Sequence, residues 1–94
     1  MPDYQIRCEA VTVDQARTTC QKPGDVFVIG PRTPDGMCSR AFAAVYPAAL
    51  AMRFSDSIKW EAPEGHLDVT CPDGFVVYRL SRIDPAAPGQ GAQP

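Results

Sequence analysis

A single segment with helical periodicity lies near the middle of this chain, between two pairs of short segments with strand-like patterns. Its apolar residues recur at helical spacing and are Phe42, Val45, Tyr46, Ala49, Leu50 and Phe54. Pro47 lies inside this segment, so we expect it to kink the helix or to divide it into two short helices. Either Asp35 or Ser39 is expected to cap the first turn. The sequence therefore predicts one helix.

The flanking segments have the composition and spacing of β-strands. Apolar and polar residues alternate over residues 4–10, whereas Val26 to Ile29 form a continuous apolar run that predicts a strand buried on both faces. After the helix, residues 67–71 and 75–80 flank a Pro-Asp-Gly turn and predict a hairpin. The order is β-β-α-β-β. We therefore expect an α+β fold with one helix packed on a four-stranded, mostly antiparallel sheet.

The length and composition indicate one globular domain. The 94 residues are 45% hydrophobic and 21% charged, as in ordinary folded proteins. The last eleven residues, 84–94, are rich in Pro, Gly and Ala and contain no large apolar side chain. We expect residues 1–83 to form the domain and residues 84–94 to be a disordered tail.

Charge and hydropathy exclude several classes of function. The net charge of −2 lacks the positive field that nucleic-acid binding normally requires. The longest apolar run, residues 41–50, is well short of the ~20 residues of a membrane-spanning helix. Charges at Asp3 and Arg7 interrupt the region where a signal peptide would be apolar. We therefore predict a cytoplasmic protein that binds neither nucleic acid nor membrane.

The four cysteines are the residues best suited to metal binding or to catalysis. In a reducing compartment they are expected to be thiols, metal ligands or catalytic groups rather than disulfides. Cys8 is in phase with the apolar face of the first strand and is expected in the core. Cys20, Cys38 and Cys71 lie before a Pro-Gly turn, at the start of the helix and at the hairpin turn. Ends of elements are where side chains from distant segments can converge.

If these three cysteines converge, they form a soft thiolate set suited to a transition metal, with zinc first and iron or copper as alternatives. The fourth ligand would then be His66, Cys8, Asp73 or a water molecule. Without a metal, Cys38 is the best candidate nucleophile, because a helix N-terminus favours the thiolate. His66 is the only histidine and the candidate for proton transfer near neutral pH.

A second interpretation treats the cysteines as small apolar packing residues, a common role for buried cysteine. The protein would then be a non-catalytic module that binds a small molecule or a protein, with its pocket between the helix and the loop formed by residues 55–65. Trp60 is the predicted anchor of that loop. An exposed strand edge is compatible with a homodimer.

The chain also carries a combination of short motifs over residues 4–83. They are Cys20 with Pro23-Gly24-Asp25, Thr33-Pro34-Asp35-Gly36-Met37-Cys38, Val45-Tyr46-Pro47, Trp60-Glu61 and Thr70-Cys71-Pro72-Asp73. With them the chain resembles a widespread family of prokaryotic proteins of about ninety residues with three shared cysteines. The resemblance implies that Cys20, Cys38 and Cys71 act as a unit, and it implies no particular reaction. Ser55-Asp56 stands where that family has a Gly-Gly pair, and the histidine expected near the first shared cysteine is absent.

From the residues and the resemblance together we expect a three-cysteine site that binds a metal or provides a reactive thiolate. Such a site would serve an enzyme or an accessory factor that acts on a small molecule or with a partner enzyme. Whether the protein is an enzyme stays open at this point.

Overall fold

The structure, a computed structural model, describes residues 2–83. One helix packs on a four-stranded antiparallel sheet, which confirms the predicted α+β fold. The elements are β1 (Gln5–Val13), β2 (Val26–Ile29), α1 (Ser39–Arg53), β3 (His66–Thr70) and β4 (Val76–Ile83). The strand order is β2-β1-β4-β3, so the two longest strands pair in the centre. The predicted disordered tail, residues 84–94, lies outside the described residues.

The central pair of strands supplies most of the sheet's contribution to the core. Cys8 lies opposite Leu80 and Ala10 lies opposite Tyr78, and all four side chains are buried. The register shifts by one residue between Ala10 and Thr12, which is a β-bulge. The alternation predicted for β1 is therefore confirmed, including the core position of Cys8.

The strand β2 is an edge strand, so the prediction that both its faces are buried is wrong for its first half. It pairs only with β1, and Val26 at its start is 42% exposed. Val28 and Ile29 at its end are buried. A continuous apolar run does not by itself place a strand in the centre of a sheet, because the position of a strand also depends on how the other strands pair.

The face of α1 that packs on the sheet is formed by smaller residues than the periodicity predicts. Its buried apolar residues are Ala41, Val45, Ala49 and Met52. By contrast, Leu50 and Phe54 are more than a third exposed. Alanine brings the helix close to the sheet, and the larger side chains then lie at the margins of the contact.

The helix is continuous over fifteen residues with Pro47 inside it, so it is not divided in two. Pro47 and Ala43, whose carbonyl loses its hydrogen-bond donor, are both exposed, and water can replace the missing bond. The N-cap is Cys38 and no side chain caps the helix. The predicted capping by Asp35 or Ser39 is therefore wrong.

A partly buried ion pair, rather than the tryptophan, fixes the loop formed by residues 55–65 to the rest of the fold. Trp60 is 64% exposed, so its predicted role as anchor is wrong. Arg82 Nη2 donates to Glu61 Oε1 at 2.6 Å, and Arg82 Nε donates to the carbonyls of Met52 and Ser55 at 3.0 and 2.7 Å. One arginine of β4 therefore ties the C-terminus of α1 to the following loop.

Candidate functional site

Three cysteines from separate segments line one small cavity at the end of the sheet from which the hairpin turn projects. Cys20 comes from the loop before β2, Cys38 from the N-cap of α1 and Cys71 from the residue after β3. The cavity has a volume of about 20 Å³, which is room for one or two non-hydrogen atoms. Ala41 and Val76 provide part of its apolar lining.

The tight turn of the hairpin surrounds Cys71 with hydrogen-bond donors. The N–H of Cys71 donates to the carbonyl of Val76 at 2.9 Å, and the N–H of Gly74 donates to the carbonyl of Cys71 at 2.9 Å. Gly74 has a φ of 79°, a conformation that glycine adopts without steric cost. Burial raises the pKa of the Cys71 thiol, but hydrogen bonds from the backbone N–H groups of residues 73–76 outweigh it and lower the pKa below its usual value. The turn therefore stabilises a thiolate.

Cys38 occupies the N-terminus of α1 without using its side chain as a cap. Its carbonyl accepts the first helical hydrogen bond from the N–H of Phe42 at 2.9 Å, while its sulfur makes no capping hydrogen bond. Cys38 is half-buried and faces the same cavity as Cys71. It therefore has the position predicted at the helix start and lines the same cavity as a second cysteine.

Cys20 is the most accessible of the three thiols. The hydroxyl of Thr18 donates to its sulfur at 3.0 Å and accepts a hydrogen bond from its N–H at 3.2 Å. Thr18 also lines the cavity. The loop before β2 therefore directs Cys20 toward the other two cysteines by a local hydrogen-bonded turn.

A tyrosine that the sequence did not single out completes this site. Tyr78 on β4 is fully buried and lines the cavity, and within residues 2–83 its hydroxyl has no hydrogen-bond partner. Burial raises its pKa, and negative charge on the nearby cysteines raises it further, so the phenol stays protonated. Alternation with Val76 and Leu80 identifies Tyr78 as a core residue, but nothing in the sequence places its hydroxyl among thiols.

An ion pair joins the two elements that carry Cys38 and Cys71. Arg40 Nη2 lies 2.7 Å from Asp73 Oδ1, and both residues line the cavity. Arg40 belongs to the first turn of α1 and Asp73 to the hairpin turn. The carboxylate of Asp73, a predicted fourth ligand, is therefore engaged by a cation at the rim.

The remaining two predicted residues lie elsewhere. Cys8 is in the core and does not line the cavity, and burial raises the pKa of its thiol to about 12. His66 begins β3 and pairs with Ser81, with Nδ1 3.9 Å from Glu64 Oε1. Cys71 follows His66 by five residue steps, which span about 16 Å along a strand, so His66 is remote from the thiols. Neither residue lines the cavity, although Cys8 is close enough to Tyr78 for a charge on its sulfur to raise the pKa of that tyrosine.

Within the described part of the chain, residues 2–83, no group of three or more His, Cys, Asp or Glu side chains is arranged to hold a metal ion. All four cysteines are free thiols. The same residues contain no helix that is both long and apolar enough to span a membrane.

A wider groove lies along the sheet edge at β2, where Phe27, Val28 and Pro31 contribute to its wall. Its residues come from β1, β2 and the loop of residues 30–35. The alternative interpretation placed its pocket against the loop of residues 55–65, which does not contribute to this groove.

The chain was compared with protein families, with curated proteins and with solved structures, and none of these comparisons found a match. The resemblance to three-cysteine proteins stays a prediction.

Proposed function

We propose that the cavity is a reactive thiolate site in which Cys71 is the nucleophile and Cys20 and Cys38 are neighbouring thiols. The observation that carries the proposal is the lining of one small cavity by three thiols from three distant segments. The backbone donors of the hairpin turn supply a reason for Cys71 to be a thiolate. Such a site suits a protein of a reducing cytoplasm that acts on a small molecule or with a partner enzyme.

The test is a brief treatment of the folded protein with iodoacetamide, followed by mass spectrometry of the modified peptides. We expect Cys71 to be alkylated first, although Cys20 is more exposed, because the thiolate is the attacking form. A Cys71→Ser variant should lose the fast reaction, and a Cys8→Ser variant should keep it. If Cys38 were labelled fastest, the nucleophile would be Cys38 at the helix start and not Cys71. Labelling in order of exposure alone would contradict the proposal.

A second candidate function is the binding of a soft metal ion by Cys20, Cys38 and Cys71, with zinc before iron or copper. The same convergence of three free thiols favours it, because Zn²⁺ binds thiolates at about 2.3 Å in structural and catalytic sites. Binding would require the three sulfurs to lie roughly 4 Å from one another, which demands a rearrangement of their side chains.

Elemental analysis and zinc titration test this candidate. One zinc per chain, lost in the Cys20→Ser, Cys38→Ser and Cys71→Ser variants and kept in Cys8→Ser, would support it. Chelation should then lower the melting temperature sharply, because structural zinc contributes about 10–16 kcal/mol in small zinc-binding peptides. A melting temperature that neither chelator nor Cys38→Ser changes would exclude a structural metal.

A further inference from the structure

The hydroxyl of Tyr78 is the feature of the cavity that the thiols alone do not explain. It is buried and has no partner within residues 2–83, and Tyr78 is one of the residues that line the cavity shared by the three cysteines. A buried hydroxyl without a partner is destabilising, and such groups in native proteins mark a place where something else accepts the bond. A small molecule in the cavity that carries a hydrogen-bond acceptor would satisfy this hydroxyl.

The size and surroundings of the cavity restrict this occupant further. A volume of about 20 Å³ admits only one or two non-hydrogen atoms, and apolar side chains such as Ala41 and Val76 form part of the wall. The one carboxylate at the rim, Asp73, is paired with Arg40. The acceptor must also be able to react with or remain beside a thiolate. A peroxide meets these conditions, since it is small, uncharged, an acceptor and an electrophile toward sulfur.

We propose that Cys71 reduces hydrogen peroxide and that the Tyr78 hydroxyl donates a hydrogen bond to the oxygen that leaves. This inference rests on the proposed reactive thiolate site. The Cys71 sulfur attacks one peroxide oxygen, so the S–O bond forms as the O–O bond breaks. The departing hydroxide takes a proton from solvent and leaves as water. Cys71 is then a sulfenic acid.

A neighbouring thiol completes the reaction. The sulfur of Cys20 or Cys38 attacks the Cys71 sulfur, the S–S bond forms and the S–O bond breaks. The hydroxide that leaves combines with the proton of the attacking thiol as a second water. Overall, two thiols lose two electrons, the peroxide gains them, and one disulfide and two waters result. The cavity already holds both candidate partners of Cys71.

The experiment compares two reagents on the reduced full chain. Tyr78→Phe removes a hydroxyl that has no partner among residues 2–83, so the variant should fold as well as the parent. The oxygen that leaves peroxide needs a hydrogen-bond donor, whereas the iodide that leaves iodoacetamide needs none. We therefore expect Tyr78→Phe to slow peroxide oxidation of Cys71 by about tenfold or more and to change its alkylation by less than about twofold. Tyr46→Phe, on a half-buried tyrosine outside the cavity, is the matched control.

Peptide mapping of the peroxide product should show a disulfide between Cys71 and Cys20 or Cys38. If Tyr78→Phe slowed the reactions with both reagents equally, the role of Tyr78 would be structural and the inference would be overturned. An unchanged oxidation rate, or a product without a Cys71 disulfide, would also overturn it. Selective alkylation of Cys71 combined with peroxide oxidation no faster than that of Cys20 would reject this inference and leave the proposed thiolate site intact. Loss of selective alkylation would reject both.

Discussion

Cysteine has two distinct physical roles in this chain, and the surroundings of each sulfur decide between them. Cys8 faces α1 from the centre of the sheet, where burial raises the pKa of its thiol to about 12. Cys71 follows an edge strand, where backbone N–H groups lower the pKa of its thiol despite partial burial. The first is a packing residue and the second is suited to chemistry.

Replacing Cys8 by serine tests the packing role. The serine hydroxyl would enter an apolar position, so we expect the free energy of unfolding to fall by about 1–3 kcal/mol. Cys20→Ser is the control, because Cys20 is exposed and the change should stay within about 0.5 kcal/mol. Urea denaturation of the reduced proteins measures both values. Equal values for the two variants would contradict the assignment of Cys8 to the core.

The helix α1 depends on small residues where it meets the sheet. Ala41 and Ala49 are buried on that face, and the N-terminal end of the helix carries Cys38 to the cavity. The distance between helix and sheet therefore sets both the packing of the core and the position of one thiol.

A larger residue on this face should separate the two layers. We expect Ala49→Leu to cost about 1–3 kcal/mol of unfolding free energy, since the added methyl groups have no space in a packed core. Ala43→Leu places the same side chain on the exposed face of α1 and should leave stability nearly unchanged. Thermal or urea unfolding distinguishes them, and a neutral Ala49→Leu would show that the layers are loosely packed.

At the scale of the whole molecule, the ion pair between Arg82 and Glu61 connects three parts of the fold. The side chains of Arg82 and Glu61 are only 11% and 6% exposed, and through Arg82 they link β4, the end of α1 and the loop of residues 55–65. The hydrogen bond from Arg82 lowers the pKa of Glu61 below its usual value, against the opposing effect of burial. Folding therefore favours the ionised carboxylate.

This pair predicts a specific acid dependence of stability. Because the pKa of Glu61 is lower in the folded state than in the unfolded state, its contribution is fully present above the unfolded pKa and is lost as the pH falls through the folded one. Glu61→Gln should cost about 1–3 kcal/mol at pH 7, since it leaves the partly buried Arg82 charge without a counter-charge. The difference from the parent should shrink toward pH 3.

Urea titrations at the two pH values measure this difference. The comparison variant is Asp68→Asn, whose carboxylate also has its pKa lowered by a hydrogen bond from Arg79 but lies in an exposed pair. Exposed pairs contribute at most about 1 kcal/mol, so its effect should be smaller at both pH values. A Glu61→Gln penalty that is the same at pH 7 and pH 3 would show that the charge of Glu61 is not what stabilises the fold.

Local patterns were sufficient for the elements of this protein and for the inward direction of Cys8. Alternation, helical spacing and turn residues are properties of neighbouring residues, so β1, β2, α1 and the hairpin could be predicted from them. The same patterns placed Cys20, Cys38 and Cys71 at the ends of elements. The exposed position of Trp60 and the edge position of β2 could not be predicted, because both depend on which segments become neighbours.

The amino-acid order thus determined which segments are strands and helix and where the thiols lie along the chain. Only the tertiary structure decided that the three cysteines line one cavity and that His66 lies far from them. It also decided that Tyr78 lines the same cavity, with a hydroxyl that has no partner in the described part of the chain. The physical reason is that contacts between residues distant in sequence determine the register between β3 and β4. Such contacts also determine how α1 packs on the sheet. Those contacts set which side chains converge at the cavity.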